Sequence, residues 1–134
     1  MKTNLFAYGF TALAFLIIDG IWLGLVARDF YKSQMGDLMA PNPSIAAATA
    51  FYLIFVFGLV WFAVSPALAS ASWTTAFVNG AVLGLIGYAT YDLTNLAVTR
   101  GFPTTLAMAD LAWGTALSAV AATAGYFATR SVSS

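Results

Sequence analysis

The segment WTTAFVNGAVLGLIGYATYDLTNLAV, residues 73–98, decides the fold of this chain. It contains a single charged residue, Asp92, and it is longer than the roughly 20 residues that a helix needs to cross a bilayer. Its apolar residues do not alternate strictly with polar ones, so the pattern favours a helix over a strand of a closed barrel. The segment is therefore predicted to be a transmembrane helix.

Three further apolar stretches have the same character, at about residues 4–27, 44–64 and 104–128. The whole chain is 61% hydrophobic and only 7% charged, whereas soluble domains carry about 25% charged residues. Short connectors make consecutive helices antiparallel neighbours. We predict an all-α protein, an integral membrane up-down four-helix bundle, with residues 1–134 as a single transmembrane domain.

The connectors are marked by charged residues and helix breakers. Residues 28–43 carry four charges and end in Pro41-Asn42-Pro43, and they form either a short interfacial helix between helices 1 and 2 or a plain connector. A turn of small residues is predicted at 65–72, begun by Pro66, and a tight turn at 98–103. The basic residues give a weak preference for placing the first and third connectors in the cytoplasm.

The composition excludes several classes of chemistry. The chain contains no Cys, His or Glu, which removes disulfides, Cys/His zinc sites and a Ser-His-Asp triad. We predict no metal site, and the sequence specifies no cofactor. The net charge is zero, so nothing in the sequence indicates nucleic-acid binding.

Three of the five carboxylates, Asp19, Asp92 and Asp110, lie inside predicted spans. An aspartate at the centre of a membrane helix costs roughly 2.5 to 3.5 kcal/mol on insertion scales. Each lies seven to nine residues from the first or third connector, which places all three roughly 10 to 14 Å below one membrane surface. We expect them to meet in a common hollow and to bind a ligand or ion. The alternative is a structural role, in which they hydrogen-bond across helices.

Polar and aromatic neighbours extend this candidate site. Helical spacing predicts that Tyr88, Tyr91 and Asn95 are hydrogen-bond partners of the aspartates. Trp22 and Trp113 each follow an aspartate by three residues and are predicted walls of the pocket. The second helix brings side chains to a similar depth, Thr49 and Tyr52.

Small residues predict close helix contacts. The third helix carries a stripe of Gly80, Gly84 and Gly87, and the fourth helix carries small residues at 114, 118 and 125. Such faces allow transmembrane helices to approach closely, so their role is predicted to be packing.

The chain resembles a family of small bacterial membrane proteins, domain of unknown function 2177, over almost its whole length. Five segments carry the resemblance: residues 19–24 (DGIWLG), 30–31 (FY), 51–52 (FY), 88–95 (YATYDLTN) and 110–114 (DLAWG). Where the family favours Trp before the proline of the last turn, this chain has Phe102, which keeps an aromatic ring. The resemblance implies a multi-pass protein of the bacterial inner (plasma) membrane and brings no activity with it.

Three functions fit these observations. The first is binding or transport of a small molecule, a cation or a proton at the intramembrane Asp/Tyr/Asn site, in a homo-oligomer because four helices are few for a translocation path. The second is a membrane enzyme acting on a lipid or another membrane-dissolved substrate, with two carboxyl groups as acid and base. The third is an accessory subunit whose polar layer selects partners. In each case the chain is embedded in the lipid bilayer, and the expected ligand is a small molecule, a cation or a lipid.

Overall fold

The computed structural model describes residues 2–22, 30, 33–34 and 45–133 of the 134-residue chain. Within these ranges, four helices are long and apolar enough to cross a membrane, which confirms the all-α four-helix prediction. The elements are α1 (Lys2–Ile21), α2 (an α-helical part Ile45–Leu59, a π-helical part Val60–Val64 and a final α-helical part Ser65–Ser70), α3 (Trp73–Val98) and α4 (Thr104–Ser133).

Two predictions concern residues that the structure does not describe. Residues 23–27, the end of the first predicted span, lie outside the described residues. The same holds for most of 28–43, where an interfacial helix was one alternative.

At the other end of the chain, α4 continues to Ser133, beyond the predicted end near residue 128. Arg130 lies in its last turn, where a positive charge interacts favourably with the carboxyl end of a helix.

The predicted turn at 65–72 is wrong, because α2 continues through Pro66 to Ser70. Proline lacks an N–H, so the carbonyl of Phe62, four residues earlier, loses its α-helical donor. The preceding residues Val60–Val64 are π-helical, and Asn79 of α3 donates from Nδ2 to the Phe62 carbonyl at 2.9 Å. A donor from a neighbouring helix therefore lets the proline remain within a spanning helix.

Two short turns reverse the chain around α3. After α2, Ala71 adopts a left-handed conformation with φ 52°, and the Ser72 side chain then caps α3 by accepting from the Thr75 amide at 3.4 Å. Between α3 and α4, Gly101 has φ 76°, a region in which side chains other than glycine are strained. These turns place α2, α3 and α4 as consecutive antiparallel neighbours.

The predicted small-residue contact between α3 and α4 is confirmed. A Cβ atom added at Gly80 would lie 2.8 Å from the Ser118 carbonyl oxygen. One added at Gly84 would overlap the Gly114 carbonyl oxygen and the Ser118 side chain. Only glycine permits backbones this close, and such contact supplies van der Waals attraction where lipid removes the hydrophobic drive between helices.

Larger side chains fill the rest of the interior. Phe15 of α1, Leu59 of α2, and Leu117 and Tyr126 of α4 are almost completely buried. Many large apolar side chains instead point outward, and Ile54 is 72% exposed. In a bilayer this outer surface contacts acyl chains, so the exposure is the expected condition of a spanning bundle.

Candidate functional site

Asp92 of α3 and Asp110 of α4 face each other inside the bundle. The Asp92 side chain is 1% exposed, and the carboxyl group of Asp110 lies close enough to interact with it. Within the described residues, no N–H or O–H group donates to either oxygen of Asp92. The antiparallel contact of α3 and α4 explains the pairing, because Asp92 lies six residues before Val98 and Asp110 lies six after Thr104.

The two neighbouring carboxyl groups constrain each other's charge. A hydrogen bond between two carboxyl groups requires a proton on one of them, and two ionised carboxylates this close repel strongly in a medium of low dielectric constant. Both described arginines, Arg100 and Arg130, are exposed, and Arg130 donates to the Tyr126 hydroxyl at 3.3 Å. A shared proton or a small cation between the oxygens would satisfy both groups.

Asp19 of α1 belongs to a different arrangement. The Tyr52 hydroxyl of α2 donates to its Oδ2, and Trp113 of α4 donates from Nε1 to its Oδ1 at 3.1 Å. Asp19 is 5% exposed, so both bonds are shielded from solvent. Each carboxyl oxygen therefore has a donor from another helix, and the three side chains tie α1 to α2 and α4.

The two tryptophans predicted as pocket walls contact each other. The rings of Trp22 and Trp113 stack with centroids 4.3 Å apart and planes 13° apart. Trp113 also lies three residues after Asp110 on α4, a rise of about 4.5 Å. It therefore connects the Asp19 group to the Asp92–Asp110 pair through one turn of helix.

The two tyrosines of α3 lie in different surroundings. The Tyr88 ring packs edge-on against Phe51 and Phe55 of α2, and it occupies the space that a side chain at Gly114 would need. Tyr91 is 51% exposed and lies close enough to Asp92 and Asp110 to interact with their charge. Tyr91 therefore stands where the pair comes nearest to the outer surface of the bundle.

Asn95 does not take the role that its spacing predicts. Its Nδ2 donates to the Tyr91 carbonyl at 2.9 Å, and its Oδ1 accepts from the Thr99 hydroxyl at 2.8 Å. Both bonds lie at the end of α3, where backbone carbonyls and the following turn lack helical partners. The amide thus stabilises the end of the helix in place of the expected hydrogen bond to an aspartate.

The structure separates the three aspartates into two groups, where a common hollow was expected. No three acidic side chains among the described residues converge on a point where one metal ion could bind. The structure brings Asp92 and Asp110 together and gives Asp19 its own donors. Of the two α2 residues at matching depth, Tyr52 contacts Asp19 whereas Thr49 is exposed. Residue counting from the connector places both residues at the depth of Asp19. Which of them contacts Asp19 depends on how α1 packs against α2.

Comparison with known proteins gives a family and nothing finer. The sequence profile of DUF2177, described as a predicted membrane protein, matches residues 4–127, so the chain belongs to this family. No curated protein and no solved structure matches the chain.

Proposed function

We propose that this member of the DUF2177 family binds a proton or a small monovalent cation at the Asp92–Asp110 pair. The proposal is supported chiefly by one observation: the carboxyl group of Asp92 is buried, lacks any donor among the described residues and lies close enough to a second carboxyl group to interact with it. Two neighbouring carboxyl groups are costly at membrane depth, and ionisable groups placed there commonly mark ion pathways and proton relays.

The number of oxygens favours a proton. The pair offers at most four carboxylate oxygens, and no third acidic group of the described residues joins it. A proton needs only two of these oxygens, whereas a metal cation would need further oxygens from water or backbone carbonyls.

Access is shortest from the side of the α3–α4 turn. Asp92 and Asp110 each lie six residues from the helix ends that flank this turn, a depth of about 9 Å. Toward the other side, the contact of Gly84 with Gly114 and Ser118 leaves no space between α3 and α4. The geometry therefore supports exchange with one side of the membrane, and full transport would need further copies of the chain in a homo-oligomer.

The test compares two neutral variants at the same depth. Asp92→Asn removes one carboxyl group from the pair, and Asp19→Asn makes the same chemical change in the group whose oxygens already have donors. Purified protein in mild detergent is titrated calorimetrically with Li⁺, Na⁺ and K⁺, while an indicator dye reports the protons released or taken up. We expect Asp92→Asn to weaken cation binding, or the coupled proton release, by about 100-fold or more, and Asp19→Asn to stay within about tenfold of wild type.

Two results would refute the proposal. One is wild-type protein that binds none of the three cations and takes up no more protons than Asp92→Asn between acidic and alkaline pH. The other is equal binding by wild type and Asp92→Asn. A loss in both variants would show instead that the ion depends on the whole polar layer, including Asp19.

A further inference from the structure

A groove of about 680 Å³ runs between the beginning of α1 and the end of α2, in the membrane half opposite the aspartates. Its walls are mainly apolar, formed by Leu5 and Tyr8 of α1 with Phe57, Trp61 and Pro66 of α2. The volume falls within the 300–1,000 Å³ usual for small-molecule sites. Leu5 is 71% exposed and Trp61 is 63% exposed, so the groove opens on the surface that faces lipid.

The irregular part of α2 builds this groove. Val60 and Trp61 belong to the π-helical segment, and Pro66 follows it directly. Near the inner end, the Tyr8 hydroxyl donates to the Leu53 carbonyl at 3.0 Å and fixes α1 against α2. π-Helical turns inside α-helices occur frequently at functional sites, which gives a reason to treat the groove as more than imperfect packing.

We propose that the groove binds one acyl chain of a bilayer phospholipid, as a site separate from the aspartate pair. Along α2 it extends from Phe57 to Ala69, twelve residues or about 18 Å. One leaflet contributes about half of a hydrocarbon core that is roughly 30 Å thick. The length of the groove therefore matches the depth of one leaflet, which a single acyl chain spans. The groove begins near the membrane surface where α1 begins.

The polar groups of the groove fit the ester end of such a lipid. Asn4 lies near the start of α1, and Ser65 lies in the last part of α2. The described residues show no hydrogen bond from either side chain across the groove. The inner end, around Phe57 and Val60, is apolar. Asn4 thus lies at the end of the groove where the ester of a phospholipid would lie, and the inner end offers apolar contact to the chain.

A second lipid-facing groove provides a contrast. Trp73 and Phe77 of α3 and Val120, Ala124 and Phe127 of α4 line a depression of about 520 Å³. Its hydroxyl, that of Thr123, already donates to the Ala119 carbonyl at 2.7 Å. This surface offers apolar contact without a free polar end, so it serves as the matched control.

Photo-crosslinking tests the proposal directly. Wild-type protein is reconstituted into phosphatidylcholine and phosphatidylglycerol vesicles containing phosphatidylcholine with a diazirine in its acyl chain. Irradiation and peptide mass spectrometry then locate the adducts. We expect them to concentrate on the groove segments of α1 and α2. Ala69→Phe, which fills the groove from an exposed position, should lower their yield about fivefold or more, whereas Ala124→Phe should not.

The wild-type map decides the matter even if Ala69→Phe fails to fold. Adducts spread evenly over the exposed faces of all four helices would show ordinary boundary lipid and overturn the proposal. So would equal loss of groove adducts in Ala69→Phe and Ala124→Phe. Asn4→Leu tests the polar end of the groove. It should reduce phospholipid adducts while leaving those of a diazirine alkane unchanged. If it changes the yields of both probes equally, the Asn4 side chain does not bind the ester end of the lipid.

Discussion

Asp19 and Asp92 are the same residue at nearly the same predicted depth, and both are buried, yet their surroundings differ. Asp19 accepts one hydrogen bond at each oxygen, from Tyr52 and from Trp113. Asp92 accepts none from any N–H or O–H group of the described residues, and its polar neighbour is the carboxyl group of Asp110. Both oxygens of Asp19 therefore have donors within the fold, whereas for Asp92 we propose that a bound proton or ion takes the place of such donors.

The difference shows how to distinguish structure from function among buried carboxyl groups. Removing one partner of a satisfied hydrogen-bond network leaves the remaining groups unpaired and destabilises the protein. Removing one of two neighbouring carboxyl groups removes the repulsion that arises when both are ionised. Substitutions at the two aspartates should therefore change stability in opposite directions, which provides a test independent of any ligand.

The largest effect is expected from Asp19→Leu. It leaves the Tyr52 hydroxyl and the Trp113 N–H without acceptors, and an unpaired buried group costs about 1–3 kcal/mol, so the free energy of unfolding should fall by about 4 kcal/mol. Asp19→Asn keeps an acceptor oxygen and should lose less than half of this. Reversible unfolding in mixed detergent micelles measures both, and equal stability of Asp19→Leu and wild type would mean that these bonds do not hold the helices.

Gly84→Val should separate α3 from α4 and so disturb the aspartate pair while leaving the Asp19 group in place. The new side chain would overlap the Gly114 backbone, and overpacking costs about 3 kcal/mol at the upper end of its usual range. Gly20→Val is the control, because nothing lies within 4 Å of a Cβ at Gly20. Ion binding and unfolding are measured together. A Gly84→Val protein with normal stability would contradict the close contact of the two helices.

Asp92→Asn should stabilise the protein, by about 2 kcal/mol. The new amide can donate to the Asp110 carboxylate, which the Asp92 carboxylate cannot do, and hydrogen bonds to charged groups contribute about 1.5–3 kcal/mol. Stability gained together with lost ion binding would identify the pair as a functional site maintained at the expense of stability. A destabilised variant would assign Asp92 to the same structural class as Asp19.

The smallest effect is expected from Tyr52→Phe. It removes one hydroxyl donor to Asp19 but keeps the ring against Phe15, and interhelical hydrogen bonds in membranes contribute about 0.6–1.7 kcal/mol. Unfolding in the same micelles measures the loss, and ion binding should stay unchanged. A large loss of ion binding would show that Asp19 and the Asp92–Asp110 pair act as one unit.

The sequence predicts the spanning helices well because length and apolar composition alone determine which segments can cross a bilayer. It fails at Pro66, since a proline is a reliable break only where no neighbouring helix supplies a donor, and Asn79 does so here. Counting residues from the connectors brings Asp92 and Asp110 to one depth, where the structure pairs them. It could not separate Asp19 from them, because hydrogen-bond partners depend on helix rotation and packing, which depth does not specify.

The bond between Asn79 and the Phe62 carbonyl links two positions that are distant in sequence. Pro66 leaves the Phe62 carbonyl without its helical donor, and Asn79 supplies a donor in its place. The two residues therefore depend on each other. A related chain with an ordinary residue at position 66 would recover the helical bond, and its position 79 would then be free to become apolar. We therefore expect positions 66 and 79 to covary among related sequences.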